Sequence, residues 1–179
     1  MMERLPIVAV LGSGVDEYDD LARPLGRWLG GLGVHLLTGG GGGVMAAVSR
    51  AFHAVPGRRG LVIGVLPGEA GNTLQGYPNP WVEIPIATHL PLSGAQGTDA
   101  KSRNHINVLS ADVVVVMPGR AGTSSEAHLA IVYRKPIAAY VHNSTDIPDL
   151  AQEVPICTTL DAVKAFVMNV LKPGPRPVA

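Results

Sequence analysis

The sequence predicts an α/β fold, a three-layer sandwich built on a mainly parallel, doubly wound sheet. Three observations lead there. Apolar runs are short, continuous and strand-sized, as in Ile7-Val8-Ala9-Val10-Leu11 and Val113-Val114-Val115-Val116-Met117. Each run ends in a glycine-rich turn, and each turn leads into a stretch whose apolar residues recur at helical spacing. A continuous apolar strand is one buried on both faces, and strands alternating with helices place those helices on the two faces of a parallel sheet.

In chain order, Ile7 to Leu11 is the first strand and ends in Gly12-Ser13-Gly14. Tyr18, Leu21, Ala22, Leu25, Leu29 and Leu32 then predict a helix with Asp16 as cap and Gly33 as stop. Pro24 predicts either a kink or a later start, because proline lacks the N–H that a helix interior needs. A strand at 34–38, a helix at 43–55 and a strand at 61–66 continue the alternation. Segment 67–97 is rich in turn residues around one short strand near 81–86. A helix at 99–110, a strand at 112–117, a helix at 123–133 and a strand at 137–141 follow. The last helix runs over 160–171, capped by Thr158 and Thr159 and followed by a proline-rich tail. At 179 residues the chain reads as a single domain over 1–172 with the tail at 173–179.

Composition removes whole classes of function. Hydrophobic residues are 46% of the chain and charged ones 16%, which predicts an ordered globular protein. Fourteen basic side chains against fourteen acidic ones give a formal net charge of zero, so neither nucleic acid nor an anionic membrane is the expected partner. No apolar run approaches the roughly 20 residues of a spanning helix. The start MMERLPIVAV has no secretory pattern and Cys157 is the one cysteine, so a cytoplasmic location is expected. The six histidines show no metal-ligand spacing with one another or with Cys157, and no Gly-x-Ser-x-Gly elbow suggests a serine hydrolase.

The chemistry that remains is anion binding at the turns after the strands. Ligands of an open parallel sheet sit beyond the carboxyl ends of its strands, where helix N–H groups lack partners and the helix dipole favours negative charge. Three glycine-rich turns lie there: Gly12-Ser13-Gly14, Gly39-Gly40-Gly41-Gly42-Gly43 leading into Val44 and Met45, and Pro118-Gly119-Arg120-Ala121-Gly122-Thr123 leading into Ser124. A phosphate is the natural guest, and these residues other than Gly14 and Ala121, together with Asn104, are the candidate ligand-binding set. Gly41-x-Gly43-x-x-Ala46 has the form of a dinucleotide fingerprint, but it follows the second strand and meets only Glu69 as an acidic partner, a weak signal for NAD. No Lys-Ser or Lys-Thr pair follows the glycines, so a triphosphate cradle is not indicated. Arg103 opens the helix before the fifth main strand, and Glu126 lies in the first turn of the helix after it. Thr123-Ser124-Ser125-Glu126 also reads as a capping box, so Glu126 is either a helix cap or a functional carboxylate.

Four blocks, TGGGGGVMA at 38–46, NPWVEIPIAT at 79–88, Ser102-Arg103-Asn104, and ADVVVVMPGRAGTSSE at 111–126, together resemble the LOG-like Rossmann superfamily over residues 5–142. The resemblance implies a Rossmann-like fold. The superfamily includes LONELY GUY-type phosphoribohydrolases, whose motif is PGGxGTxxE preceded by an arginine, and the molybdenum-cofactor carrier proteins. The glycine block and the Arg-Asn pair look nearer the carriers, whereas Pro118-Gly119 and Gly122-Thr123-x-x-Glu126 look like the hydrolase motif. In the hydrolase reading Arg103 and Glu126 are catalytic, and the N-glycosidic bond of a nucleoside 5′-monophosphate such as AMP is cleaved to base and ribose 5-phosphate. Glu126 would stabilise the oxocarbenium-like transition state and orient water. In the alternative, the same crevice holds a nucleotide or molybdenum cofactor as a non-catalytic carrier or sensor. Neither metal nor pyridoxal phosphate is called for, and the lysine-decarboxylase label that the superfamily also carries finds no Schiff-base lysine here. Arg120 replaces the second motif glycine and either adds a phosphate contact or obstructs the pocket. The resemblance further implies a homodimer or homotetramer, with Leu129, Ile131, Val132 and Tyr133 making the 123–133 helix apolar around much of its circumference.

Overall fold

A computed structural model describes residues 4–172, so the 173–179 tail lies outside the described residues. The elements run β1 (Ile7–Leu11), α1 (Asp19–Leu32), β2 (His35–Thr38), α2 (Gly43–His53), β3 (Val62–Leu66), β4 (Gly68–Glu69), β5 (Asn72–Thr73), β6 (Ile84–Ala87), α3 (Asn104–Ser110), β7 (Val113–Val116), α4 (Ala121–Val132), β8 (Ile137–Tyr140), β9 (Ile156–Cys157) and α5 (Leu160–Leu171). Seven strands form one sheet in the order β6-β3-β2-β1-β7-β8-β9, and every neighbouring pair is parallel. Strands β4 and β5 form a separate antiparallel ribbon.

Alternation along the valine-rich strands divides the core in two. Val8, Val10, Val113 and Val115 point to the face covered by α1, α2 and α5, where they meet Leu25, Val48, Phe52 and Val163. Ala9, Leu11, Val114 and Val116 point to the other face, where Val108 of α3 and Ala127 and Ala130 of α4 cover them. The result is the expected Rossmann-like three-layer sandwich with a doubly wound sheet. Burial on both faces is why these strands read as unbroken apolar runs.

Several boundaries differ from the sequence reading for local reasons. Pro24 sits inside α1, and the carbonyl that loses its donor there belongs to the exposed Asp20, where water can replace it. Asp16 does not cap α1; its N–H and that of Val15 donate to Ser13 Oγ, and Tyr18 at φ 43° occupies the cap position. Helix α3 starts only at Asn104, because Asp99 and Ser102 side chains accept the Lys101 and Asn104 N–H groups and hold 99–103 in turns. Helix α4 starts two residues early, at Ala121, with Arg120 as its cap residue. Thr159 caps α5 through the Ala162 N–H, as expected.

Candidate functional site

The strand order reverses direction between β1 and β7, and the turns after these two strands are stitched together. The Ser13 N–H donates to Pro118 O at 2.9 Å, the Met117 N–H to Leu11 O at 2.8 Å, and the Val44 N–H to Ser13 O at 2.9 Å. Gly43 makes that last contact possible. Its φ is +57°, and a Cβ there would overlap the Ser13 carbonyl oxygen and lie 2.6 Å from Val15 N. Over this junction lies an open cavity of about 240 Å3.

Its walls come from six segments. Ser13, Gly14 and Val15 form the first, and Met45 of α2 with Tyr77 forms an apolar side. Ser93 and Gly94 close another edge, Arg103 and Asn104 come from the start of α3, and Arg120, Gly122, Thr123 and Glu126 come from α4. The first three N–H groups of α4, those of Ala121, Gly122 and Thr123, have no intrahelical acceptor, and the helix dipole makes this end attractive to an anion.

Arg103 and Glu126 carry the buried charge. Only 4% of Arg103 and 6% of Glu126 is exposed, and Arg103 Nη1 stands 3.6 Å from Glu126 Oε1. Arg103 also donates to Asn104 Oδ1 and, at 3.4 Å, to Gly39 O, while its Nε is buried without a partner. Asn107 Nδ2 donates to Glu126 Oε1 at 3.2 Å. Burial pushes the Glu126 carboxyl above the usual carboxylate range, against the pull of Arg103 and Asn107 in the opposite direction.

The capping-box alternative is overturned. Thr123 lies at the third helical position rather than the cap, no side chain caps α4, and Glu126 in the second turn points inward to Asn107 and Arg103. Of the expected residues, Ser13, Met45, Asn104, Arg103, Arg120, Gly122, Thr123 and Glu126 reach the cavity. The rest do not line it. Gly39 O takes Arg103, the Gly40 N–H donates to Thr38 Oγ1, and the Gly40 and Gly41 carbonyls accept from the Asn79 backbone and side chain. The Val44 and Gly119 N–H groups are spent on Ser13 O and Asp146 O. Ser124 Oγ donates to Pro148 O at 2.6 Å. Gly12 packs on Val44 and Met117, and Gly42 lies against Gly14. The glycine block is thus chiefly a packing device that seats α2 and Arg103. Glu69 is an exposed residue of β4 and does not line the cavity.

Sequence reading missed Gly14, Val15, Tyr77, Ser93 and Gly94 on the cavity wall, and Asn79 and Asn107 behind it. Asn107 had a signal: it stands four residues after Arg103, one turn along the same helix. Among the described residues no group of three His, Cys, Asp or Glu side chains could hold a metal ion, and no helix is long and apolar enough to cross a membrane.

A family model for the SLOG cluster4 family matches residues 5–167. The chain belongs to the SLOG cluster4 family. That membership places the chain in the LOG-like superfamily that the sequence reading expected. Among solved structures, this SLOG cluster4 chain is similar to the molybdenum cofactor binding protein from the phototrophic bacterium Rippkaea orientalis, at 28% identity and TM-score 0.72 over 94% of this chain and 99% of that one. It is also similar to the molybdenum cofactor carrier protein from Chlamydomonas reinhardtii, at 28% identity and TM-score 0.70 over 95% of this chain and 100% of that one. No curated protein sequence matches the chain.

Proposed function

We propose that this SLOG cluster4 protein binds a phosphorylated heterocyclic small molecule in the crevice between β1 and β7 and holds it as a carrier. The observation that carries the reading is the cavity itself: unpartnered amides at the start of α4 and the buried, unpartnered Nε of Arg103 belong to segments that line one space. A phosphate on the α4 amides leaves a flat ring system to lie against Tyr77 and Met45. Molybdenum cofactor, a phosphorylated pterin, fits that division of polar and apolar walls as cargo, and two structural relatives bear its name. The ligand-binding set is Ser13, Met45, Asn104, Gly122 and Thr123 with the backbone of Gly14 and Val15; the glycines at 39–43 support it from behind.

A second reading rests on Glu126. A buried carboxylate that reaches the cavity and is held by Asn107 can stabilise a developing oxocarbenium ion. Water then adds at the sugar carbon as the N-glycosidic bond of a nucleoside 5′-monophosphate breaks, giving free base and ribose 5-phosphate, with Arg103 positioning the nucleotide. One experiment separates the two: incubation with AMP and other nucleoside monophosphates, with free base and ribose 5-phosphate followed beside Glu126→Gln, and calorimetric binding of AMP and neopterin monophosphate in parallel. Tight binding without release is the carrier result. Release that vanishes in Glu126→Gln is the hydrolase result, and neither binding nor release refutes both. The protein is also proposed to be a cytoplasmic homodimer or homotetramer. Leu109, 50% exposed, and Val132, 54% exposed, lie on the packed helices α3 and α4 and support an association face there, for which sedimentation velocity is the test.

A further inference from the structure

Arg120 occupies the place where the motif of the resembled hydrolases has a second glycine, and the structure says what that exchange allows. At φ −111° and ψ −152° its backbone is extended, a conformation open to any residue. Its neighbour Gly119 is different, since a Cβ there would overlap Thr123 Oγ1 and lie 3.0 Å from Ser13 N. Position 119 therefore needs glycine and position 120 does not, so a long side chain enters at 120 without strain.

That side chain is exposed and lines the cavity mouth. Among the described residues it forms no hydrogen bond or ion pair, whereas Arg4, Arg23, Arg50, Arg58 and Arg103 are each tied to a carboxylate. Within the cavity Arg103 is balanced by Glu126, which leaves Arg120 and the roughly half-charge of the α4 dipole as the uncompensated positive charge. An independent feature of the same cavity also looks for an acceptor: the Arg103 Nε, on a side chain 5% exposed, has none.

Building on the ligand-binding reading above, we propose that Arg120 is the specificity-determining residue of this crevice and selects a phosphomonoester dianion. A monoester has three terminal oxygens, enough for the planar guanidinium fork to take two while the α4 amides take the third. A phosphodiester offers two such oxygens and one charge, and an unphosphorylated heterocycle offers neither. The residue therefore adds a contact to the phosphate site rather than obstructing it, and the ligand class is a small molecule ending in a free phosphate.

The test is calorimetric titration of the full chain and of Arg120→Gln and Arg120→Gly with AMP, cyclic 3′,5′-AMP and adenosine, and with neopterin monophosphate beside neopterin, at low and high salt. Wild type binds at least one monoester more tightly than its diester or unphosphorylated partner. Both variants lose about tenfold or more of that monoester affinity, the worth of one charge-assisted contact. They also lose part of its salt dependence, keep the weaker ligands within about twofold, and melt with wild type. Variants that bind the monoester as tightly as wild type, or more tightly, overturn the proposal while leaving the binding site standing. Equal losses for all probes overturn it as well. Failure of wild type to bind either monoester overturns the proposal together with the function on which it rests.

Discussion

Substitution of Gly43 by alanine puts the construction of the site at risk through a single methyl group. The residue has φ +57°, which costs an L-residue about 1–2 kcal/mol. The new Cβ meets the Ser13 carbonyl oxygen and stands 2.6 Å from Val15 N, and both are backbone atoms of the cavity wall that cannot swing aside. Relieving that overlap costs about 1–3 kcal/mol more. Moving α2 away from the loop lengthens the bond from the Val44 N–H to Ser13 O, worth about 1 kcal/mol. The total is about 3–6 kcal/mol, or a melting-temperature drop on the order of 10 °C for a domain of this size. Gly31→Ala is the matched control. Gly31 lies in α1 with nothing within 4 Å of its Cβ position, so alanine there stabilises by about 0.4–1 kcal/mol. The assay is thermal and urea unfolding of both variants beside wild type, with monoester binding measured on Gly43→Ala below its transition. A Gly43→Ala protein within about 1 kcal/mol of wild type would refute the reasoning, because strain, overlap and the lost bond would each have to be absent.

Three further outcomes follow from the same geometry. Glu126 has a folded-state pKa above its unfolded one, so the native state binds the extra proton and stability falls as pH rises from the ordinary carboxyl range through the raised value. Glu126→Gln removes that fall: it is at least as stable as wild type at neutral pH and equal to it in acid, whereas a clear loss at neutral pH in urea titrations would mean that the Arg103 pair outweighs burial. Asn79→Ala keeps the backbone bond to Gly40 O but unties the Gly41 carbonyl and the Trp81 N–H, and costs about 1–3 kcal/mol with weakened ligand binding; an unchanged melting curve would remove the Asn79 side chain as the clamp of the glycine block. Burial pushes the Cys157 thiol up, so alkylation in the native state at neutral pH is far slower than after denaturation; equal rates would contradict its packing beneath α5.

What the sequence made legible was set by the length of each pattern. The five-residue strands β1 and β3 and the helices α2, α4 and α5 repeat their apolar period long enough to be seen, and their order fixed the sandwich. Strands β4, β5 and β9 have two residues each, too few to show any period. The site was half legible for a different reason. Arg103 and Glu126 stood out by type and position, yet Thr123-x-x-Glu126 matched a capping box because the spacing is the same whether the helix begins at Thr123 or at Ala121. Only the two-residue shift of the helix start turns Glu126 inward. The five glycines drew attention as an anion cradle, but a glycine needed for close backbone packing and one needed for a ligand look alike in sequence. Tyr77 and Ser93 come from the turn-rich 67–97 segment, whose path is decided by tertiary contacts such as those of Asn79 with Gly40 and Gly41.

The most direct measurement of the central claim is amide chemical-shift mapping of 15N-labelled protein titrated with AMP and with neopterin monophosphate. The largest changes are expected on Gly14, Val15, Ser93, Ala121, Gly122 and Thr123, around the crevice between β1 and β7. Changes gathered instead at the opposite end of the sheet, around Leu32, Gly33 and Leu171, or no saturable change with either phosphate, would contradict it.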